Sequence, residues 1–166
     1  MEGKSYPITE ITNDGRRFVL VDSFRTKIRG VTFENDDDGF DRQQIISHCC
    51  HRGDALFLLR EPNNPVGHNA ILVKRIVYSD VPDKPRLAEQ LGYLSHELAE
   101  KLAFRMDHFG HVLFAKILNV TGGEDGKNFG VNIQVDEYEP AKYRATGRQR
   151  VHPVGCRPRE GTIRDA

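Results

Sequence analysis

The stretch that decides the fold is "EPNNPVGHNAILV", Glu61 to Val73. It stands between two apolar runs, "ALFLL" (Ala55–Leu59) and "AILV" (Ala70–Val73). A tight hairpin needs only two turn residues, often Asn-Gly. Here the connection opens on Arg60 and Glu61 and continues through Pro62, Asn63, Asn64, Pro65, Gly67, His68 and Asn69. Asn side chains cap local backbone and Pro presets φ, so the pattern predicts a long inter-strand loop with strong turn chemistry. That chemistry explains the prolines. It explains less well the charged entry at Arg60-Glu61 and the immediate exit at Asn69-Ala70-Ile71.

The flanking segments read as a strand pair. "DALFLLRE" (Asp54–Glu61) is a buried strand after Gly53, and "HNAILVKRIVY" (His68–Tyr78) is its partner. Upstream, "RRFVLVDSFRTKIRGVTF" (Arg16–Phe33) is rich in Val, Ile, Phe and Thr and alternates in pieces. This predicts two strands broken near Asp22-Ser23, after a turn at "NDG". The acidic "ENDDDG" reads as loop and "DRQQIISHC" (Asp41–Cys49) as a short helix.

Downstream, "SDVPDKP" (Ser79–Pro85) is a loop and "QLGYLS" a short strand entering a helix. That helix, "SHELAEKLAFRMDHFG", is the clearest element. Ser95 suits the N-cap, where its hydroxyl can accept from an orphan N–H. Glu97 favours the positive helix start. Leu98, Leu102, Met106 and Phe109 share one face at helical spacing, and Gly110 suits a left-handed stop. "HVLFAKILNVTG" and "FGVNIQVDEY" then form a hairpin around "GEDGKN", with Phe129, Val131, Ile133 and Val135 pointing one way.

Six or seven short strands with one clear helix and a short one predict a mainly β fold. The expected form is a small, partly open OB-like or SH3-like β-barrel, plugged or flanked by the helix. The chain divides into an N-terminal strand extension (1–23), a barrel domain (24–139) and a basic tail (140–166) whose Pro153, Gly155, Pro158 and Gly161 suggest irregular structure.

Bulk properties narrow the function. The chain has 166 residues, fits one domain, and is 38% apolar. Lys+Arg and Asp+Glu are both 24, so no global basic excess advertises a nucleic-acid partner. Charge is unevenly spread, however. Glu34, Asp36, Asp37, Asp38 and Asp41 form an acidic run, while Lys142, Arg144, Arg148, Arg150, Arg157, Arg159 and Arg164 face only Glu160 and Asp165. A basic tail is a generic device for phosphate contact. Three cysteines, Cys49, Cys50 and Cys156, do not suggest a disulfide framework. The start lacks the apolar region of a signal peptide and no run reaches the length of a membrane span, which predicts a soluble cytoplasmic protein.

"HCCHRG" places His48, Cys49, Cys50 and His51 side by side. Four adjacent residues cannot all aim at one tetrahedral centre, so a helix end with buried Cys is the better reading. The acidic run could hold Mg²⁺ through carboxylates but lacks the spacing of a calcium loop. No nucleophile elbow, P-loop or zinc-protease motif occurs. An enzyme is therefore the weaker class, and neither a cofactor nor a metal is expected.

Taken together, "GVTF", "REPNNPVGHNAILV", "LGYLSHELAEKLA" and "GVNIQV", in this order, resemble the HIRAN domain family over roughly Phe24 to Val135. The family occurs at the start of Swi/Snf-type helicases and as small standalone proteins. The resemblance implies a modified OB-like barrel that holds the 3′ end of single-stranded DNA, with aromatics stacking terminal bases beside phosphate contacts. Phe33 matches a stacking Tyr, Asn64 the loop Asn of Asn-Pro, and Tyr93 a His that could stack or donate. His96 matches a phosphate-contacting Lys, as a weaker, pH-dependent cation. Phe129 matches an aromatic near the last hairpin. Where the helicase domains carry Tyr-Asp to grip the terminal nucleotide, this chain has Val66-Gly67.

The resemblance thus implies a non-catalytic module for single-stranded or 3′-ended DNA in repair or replication. The alternatives are an adaptor for a repair or replication protein on the same scaffold, and a metal-dependent nuclease using the acidic loop.

Overall fold

The computed structural model describes residues 8–35, 39–77 and 87–141. The expected acidic loop at Asp36–Asp38, the loop at Ser79–Pro85 and the basic tail from Lys142 lie outside the described residues. Seven strands and two helices follow one another as β1 (Glu10–Asn13), β2 (Arg16–Lys27), α1 (Arg42–Cys49), β3 (Ala55–Arg60), β4 (Ile71–Val77), β5 (Leu87–Tyr93), α2 (His96–Phe109), β6 (Val112–Thr121) and β7 (Gly130–Pro140). The strands form one antiparallel sheet in the order β1-β2-β7-β6-β3-β4-β5.

The fold is mainly β, as expected, but the sheet is not closed into a barrel. Its hydrogen-bonded ladders end at β1 on one side and β5 on the other. Among the described residues, one antiparallel bridge, Arg29 to Tyr93, links the segment just after β2 to β5. The reason is local. Gly30 turns the chain at φ 71°, so the residues beyond Arg29 run into a loop and α1 and cannot extend a ladder along β5.

The break expected near Asp22-Ser23 is also absent. β2 runs unbroken for 12 residues, and a bulge between Leu20 and Asp22 absorbs the irregularity. The pairing with β7 carries the strand across this polar point, and Ser23 Oγ donates to Asp136 Oδ1 across it (2.6 Å). Tertiary pairing here overrides the local signal.

The period-2 pattern of the last hairpin is realised. Val131, Ile133 and Val135 of β7 face inward with Leu113, Ala115 and Ile117 of β6. They meet Leu56 and Leu58 of β3, Ile71 and Val73 of β4, and Leu91 of β5 in one core. Each such buried aliphatic contributes about 1.5–3 kcal/mol relative to exposure.

Both helices add to this core. Asp41 caps α1 by accepting from the Gln43 N–H (2.8 Å). Ile45 and Ile46 point inward. Cys49 ends α1 and Cys50 follows it, buried, its thiol pushed up to about 12 chiefly by burial. α2 begins at Ser95, whose side chain accepts from Leu98 N–H, and ends at Gly110 in the left-handed conformation. Its buried face differs from the expected stripe. Ala99, Leu102 and Ala103 face the core, Leu98 and Met106 flank them, and Phe109 is 60% exposed. The two alanines make a flat surface that packs closely, and this rotates Phe109 outward against Phe104 (ring centroids 5.7 Å).

One buried carboxylate ties α2 to the sheet. Glu137 of β7, 2% exposed, accepts two hydrogen bonds from Arg105 (2.6 and 3.0 Å) and lies 2.7 Å from His111 Nδ1. Removing one member of a buried pair leaves the other without its partner. Glu137→Ala is expected to destabilise the fold by about 3 kcal/mol, the low end of that range because Arg105 is 38% exposed. Urea denaturation checks this; a loss under about 1 kcal/mol would mean that solvent already carries the pair.

Candidate functional site

The long loop has a mechanical explanation. Arg60, the last residue of β3, donates to the carbonyls of Ala70 (2.8 Å) and His68 (3.0 Å) and forms a fork with Asp107 of α2 (3.0 and 2.8 Å). The guanidinium holds the Asp107 carboxyl below its ordinary range. Arg60 thus clamps both ends of the loop and pins them to the helix. Glu61 pairs its backbone N–H with Ala70 (3.0 Å) and sends its side chain the other way, toward Tyr93.

Three of the expected residues meet there. The Tyr93 hydroxyl donates to Glu61 Oε2 (2.9 Å). The Asn64 amide donates to the same oxygen (2.7 Å) and to the Tyr93 hydroxyl (3.3 Å). Asn64 Oδ1 accepts from Val66 N–H (2.9 Å), which folds the Pro65 turn back on itself. Burial, with Glu61 accepting its proton, holds the Tyr93 phenol above its ordinary pKa. It remains a donor at neutral pH. His96, first residue of α2, stands against Gly67: a Cβ there would lie 3.5 Å from His96 Cε1.

Phe33 joins from the other side. It is 65% exposed. A Cβ on Gly30 would lie 3.6 Å from its ring, 3.9 Å from the Tyr93 ring and 3.3 Å from the Arg42 guanidinium. Two aromatics therefore flank one backbone point, one half-buried and one projecting. Arg42 lies 5.7 Å from the Tyr93 ring centroid, in cation–π range.

Phe129 is placed differently. Gln43 holds its backbone on both sides, accepting from Phe129 N–H (2.6 Å) and donating to its carbonyl (3.0 Å). Its ring packs on the core and under the glycine loop, where a Cβ on Gly123 would fall 2.3 Å from it. Gln43 connects Phe129 to the Phe33 loop, since it also donates to the Val31 carbonyl (2.9 Å).

Sequence reasoning missed the supports. Arg42, buried, donates to Asn35 Oδ1 (2.7 Å) and the Gly30 carbonyl (2.7 Å). Asn35, also buried, donates to the Gln90 carbonyl (3.2 Å). These contacts fix the loop bearing Phe33, and nothing in "DRQQ" distinguishes them from a solvated helix start. Glu61 did carry a signal, as a charge that turn chemistry left unexplained. Among the described residues no group of three metal-type side chains converges, and no helix is long and apolar enough to cross a membrane.

An open antiparallel sheet, its β5 edge bridged to the segment after β2 and an aromatic pair set beside that bridge, defines a small, mainly β module. The family model of the HIRAN domain matches residues 21–136, and the chain belongs to that family. Among solved structures it is similar to the crystal structure of the HIRAN domain of human HLTF, at 22% identity over 76% of this chain and 83% of that one, TM-score 0.50. It is also similar to the crystal structure of a protein from Lactobacillus plantarum, at 19% identity over 74% of this chain and 96% of that one, TM-score 0.49. These likenesses concern the fold. A search of curated proteins returns no match.

The junction depends on Gly92. Its φ is 152°, and a Cβ there would lie 2.2 Å from the Arg29 carbonyl oxygen and 2.7 Å from Ile28 Cγ2. Backbone cannot yield as a side-chain tip does. Gly92→Ala is expected to cost about 2–4 kcal/mol, from overpacking plus backbone strain. Thermal melting reads the loss. The Arg29 and Tyr93 amides should lose hydrogen-exchange protection first; a variant with wild-type melting and protection would refute the constraint.

Proposed function

We propose that this chain is a non-catalytic module that binds single-stranded DNA, including strands with a 3′ end, in a repair or replication setting. Family membership supports a nucleic-acid role. The observation that carries the reading is the pair Phe33 and Tyr93 beside Gly30, one ring projecting and the other fixed by Glu61 and Asn64. A base has a π-face whatever its sequence, and stacking contributes about 1–3 kcal/mol per base. Asn64 spends its amide inside the loop, so its part is to hold Tyr93. His96 borders the same loop as a pH-dependent cation.

Val66 and Gly67 limit the grip on a terminal nucleotide. Val66 is 81% exposed and cannot stack, and His96 occupies the space beside Gly67. The exposed Val66 also suits the second reading, an adaptor whose partner is a protein. The nuclease reading rests on Asp36–Asp38, outside the described residues.

Fluorescent single strands with free and blocked 3′ ends, titrated at two salt concentrations, test the proposal. Phe33→Ala and Tyr93→Ala are each expected to weaken binding roughly 5- to 150-fold, the stacking range expressed as affinity. Blocking the 3′ end should cost less than either substitution. If no strand binds at low salt, while a pull-down recovers a stoichiometric protein that survives nuclease treatment, the adaptor reading replaces this one.

A further inference from the structure

A second surface gathers cations. An open cleft of about 420 Å³ lies between Arg60 and α2, but Glu100 and Asp107 line it. A larger one, of about 550 Å³, crosses the outer face of β2, β7 and β6. Arg25, Lys27, Arg52, Asn119 and Asn132 line it, with one threonine and one leucine, and no carboxylate. Lys27 stands opposite Asn132 in the register, and Asn132 opposite Asn119. One row thus runs straight across three strands. Arg25 repeats the cation two residues along β2, about 7 Å away on the same face.

The donors are unspent. Asn132 Nδ2 donates to Asn119 Oδ1 (2.8 Å), which leaves the Asn119 amide as a donor. Among the described residues, Arg25, Lys27 and Arg52 form no ion pair. Asp54, two residues from Arg52, is committed to the His51 N–H (2.8 Å) and to Arg75 (3.8 Å). The chain as a whole has equal numbers of acids and bases. Three cations without a carboxylate are therefore a local concentration, not a general basic excess.

A chain of contacts links this cleft to the loop that carries Phe33. The Lys27 side chain lies over Gly130, where a Cβ would sit 2.9 Å from Lys27 Cε. Gly130 follows Phe129, which Gln43 ties to Val31, two residues from Phe33. A strand leaving Phe33 and Tyr93 along this path meets cations and amides in series. Three cations with amide donors and no carboxylate suit a phosphodiester backbone better than an apolar ligand.

We propose that the cleft is a phosphate-binding track for the backbone of the nucleic-acid strand that leads away from Phe33 and Tyr93; this rests on the function proposed above. The test uses the full chain and three probes: a DNA trinucleotide, a dodecamer, and an abasic dodecamer that has phosphates but no bases. The variant is Arg25→Gln/Lys27→Gln/Arg52→Gln, which keeps polar side chains at three exposed positions and should melt with the wild type.

Dodecamer binding should weaken in this variant. The slope of log K against log salt should fall by about 2, near 0.7 for each of three lost phosphate contacts. The abasic dodecamer should lose binding equally, and the trinucleotide should be unaffected. Phe33→Ala should weaken the trinucleotide and leave the salt slope intact. Unchanged slopes for both dodecamers overturn the track. If Phe33→Ala has no effect while abasic binding still depends on the three cations, the stacking reading fails, and the cleft as a continuation of that site is overturned with it. If neither dodecamer binds the wild type at low salt, the track fails.

Discussion

Tyr93 exchanges both backbone hydrogen bonds with Arg29 (2.7 and 2.9 Å), and the two strands can approach because residue 92 has no Cβ. This contact links the end of β2 to β5, which are far apart in the sheet order. Without it the Tyr93 end of this edge strand would leave its outward backbone N–H and C=O unpaired. The loop that carries Phe33 would have lost its neighbour as well. The bridge sets the backbone of residue 30 beside Tyr93, and Arg42 then locks it by binding the Gly30 carbonyl and Asn35. The candidate surface is thus a consequence of one backbone approach, and the side chains around it divide by what they bind.

That division is visible in the hydrogen bonds. Asn64 uses its amide and its carbonyl within the loop, and Glu61 accepts from both Asn64 and Tyr93. Buried or half-buried polar groups in such a network keep their geometry because breaking one leaves the others unsatisfied. These groups are poorly suited to exchange partners with a ligand. The exposed Phe33 ring meets no such obstacle, and the Tyr93 hydroxyl is held while its ring borders the same site. Gly67 borders the His96 ring, which a Cβ there would touch at 3.5 Å.

Local chemistry made much of the fold legible. The Ser95 cap, the Gly110 stop, the Asp41 helix start and the alternation of Val131, Ile133 and Val135 all act within a few residues. Long-range choices were not legible. The strand count could not say whether the last ladder continues past one bridge. The 3.6 spacing favoured Phe109, whereas Ala99 and Ala103 won the buried face because small residues let α2 sit closer. At the site, Phe33, Asn64, Tyr93 and His96 stood in recognisable blocks and lie around one loop and one bridge. Arg42, Asn35 and Gln43 were silent because their partners are the carbonyls of Gly30, Gln90, Val31 and Phe129, distant positions that no local pattern records.

Magnitudes argue that two rings do not suffice for the function proposed. Stacking at Phe33 and Tyr93 supplies about 2–6 kcal/mol together, at about 1–3 per base. A millimolar complex needs about 4 kcal/mol and a micromolar one about 8. The difference has to come from phosphate contacts. In a chain with 24 cations and 24 anions these cannot arise from net charge and must be concentrated in place. The Lys27–Asn132–Asn119 row with Arg25 and Arg52 is such a concentration, and its β7 member stands three residues beyond Phe129. For the function proposed, charge balance as much as shape thus calls for a division between base stacking near the bridge and backbone capture across β2, β7 and β6.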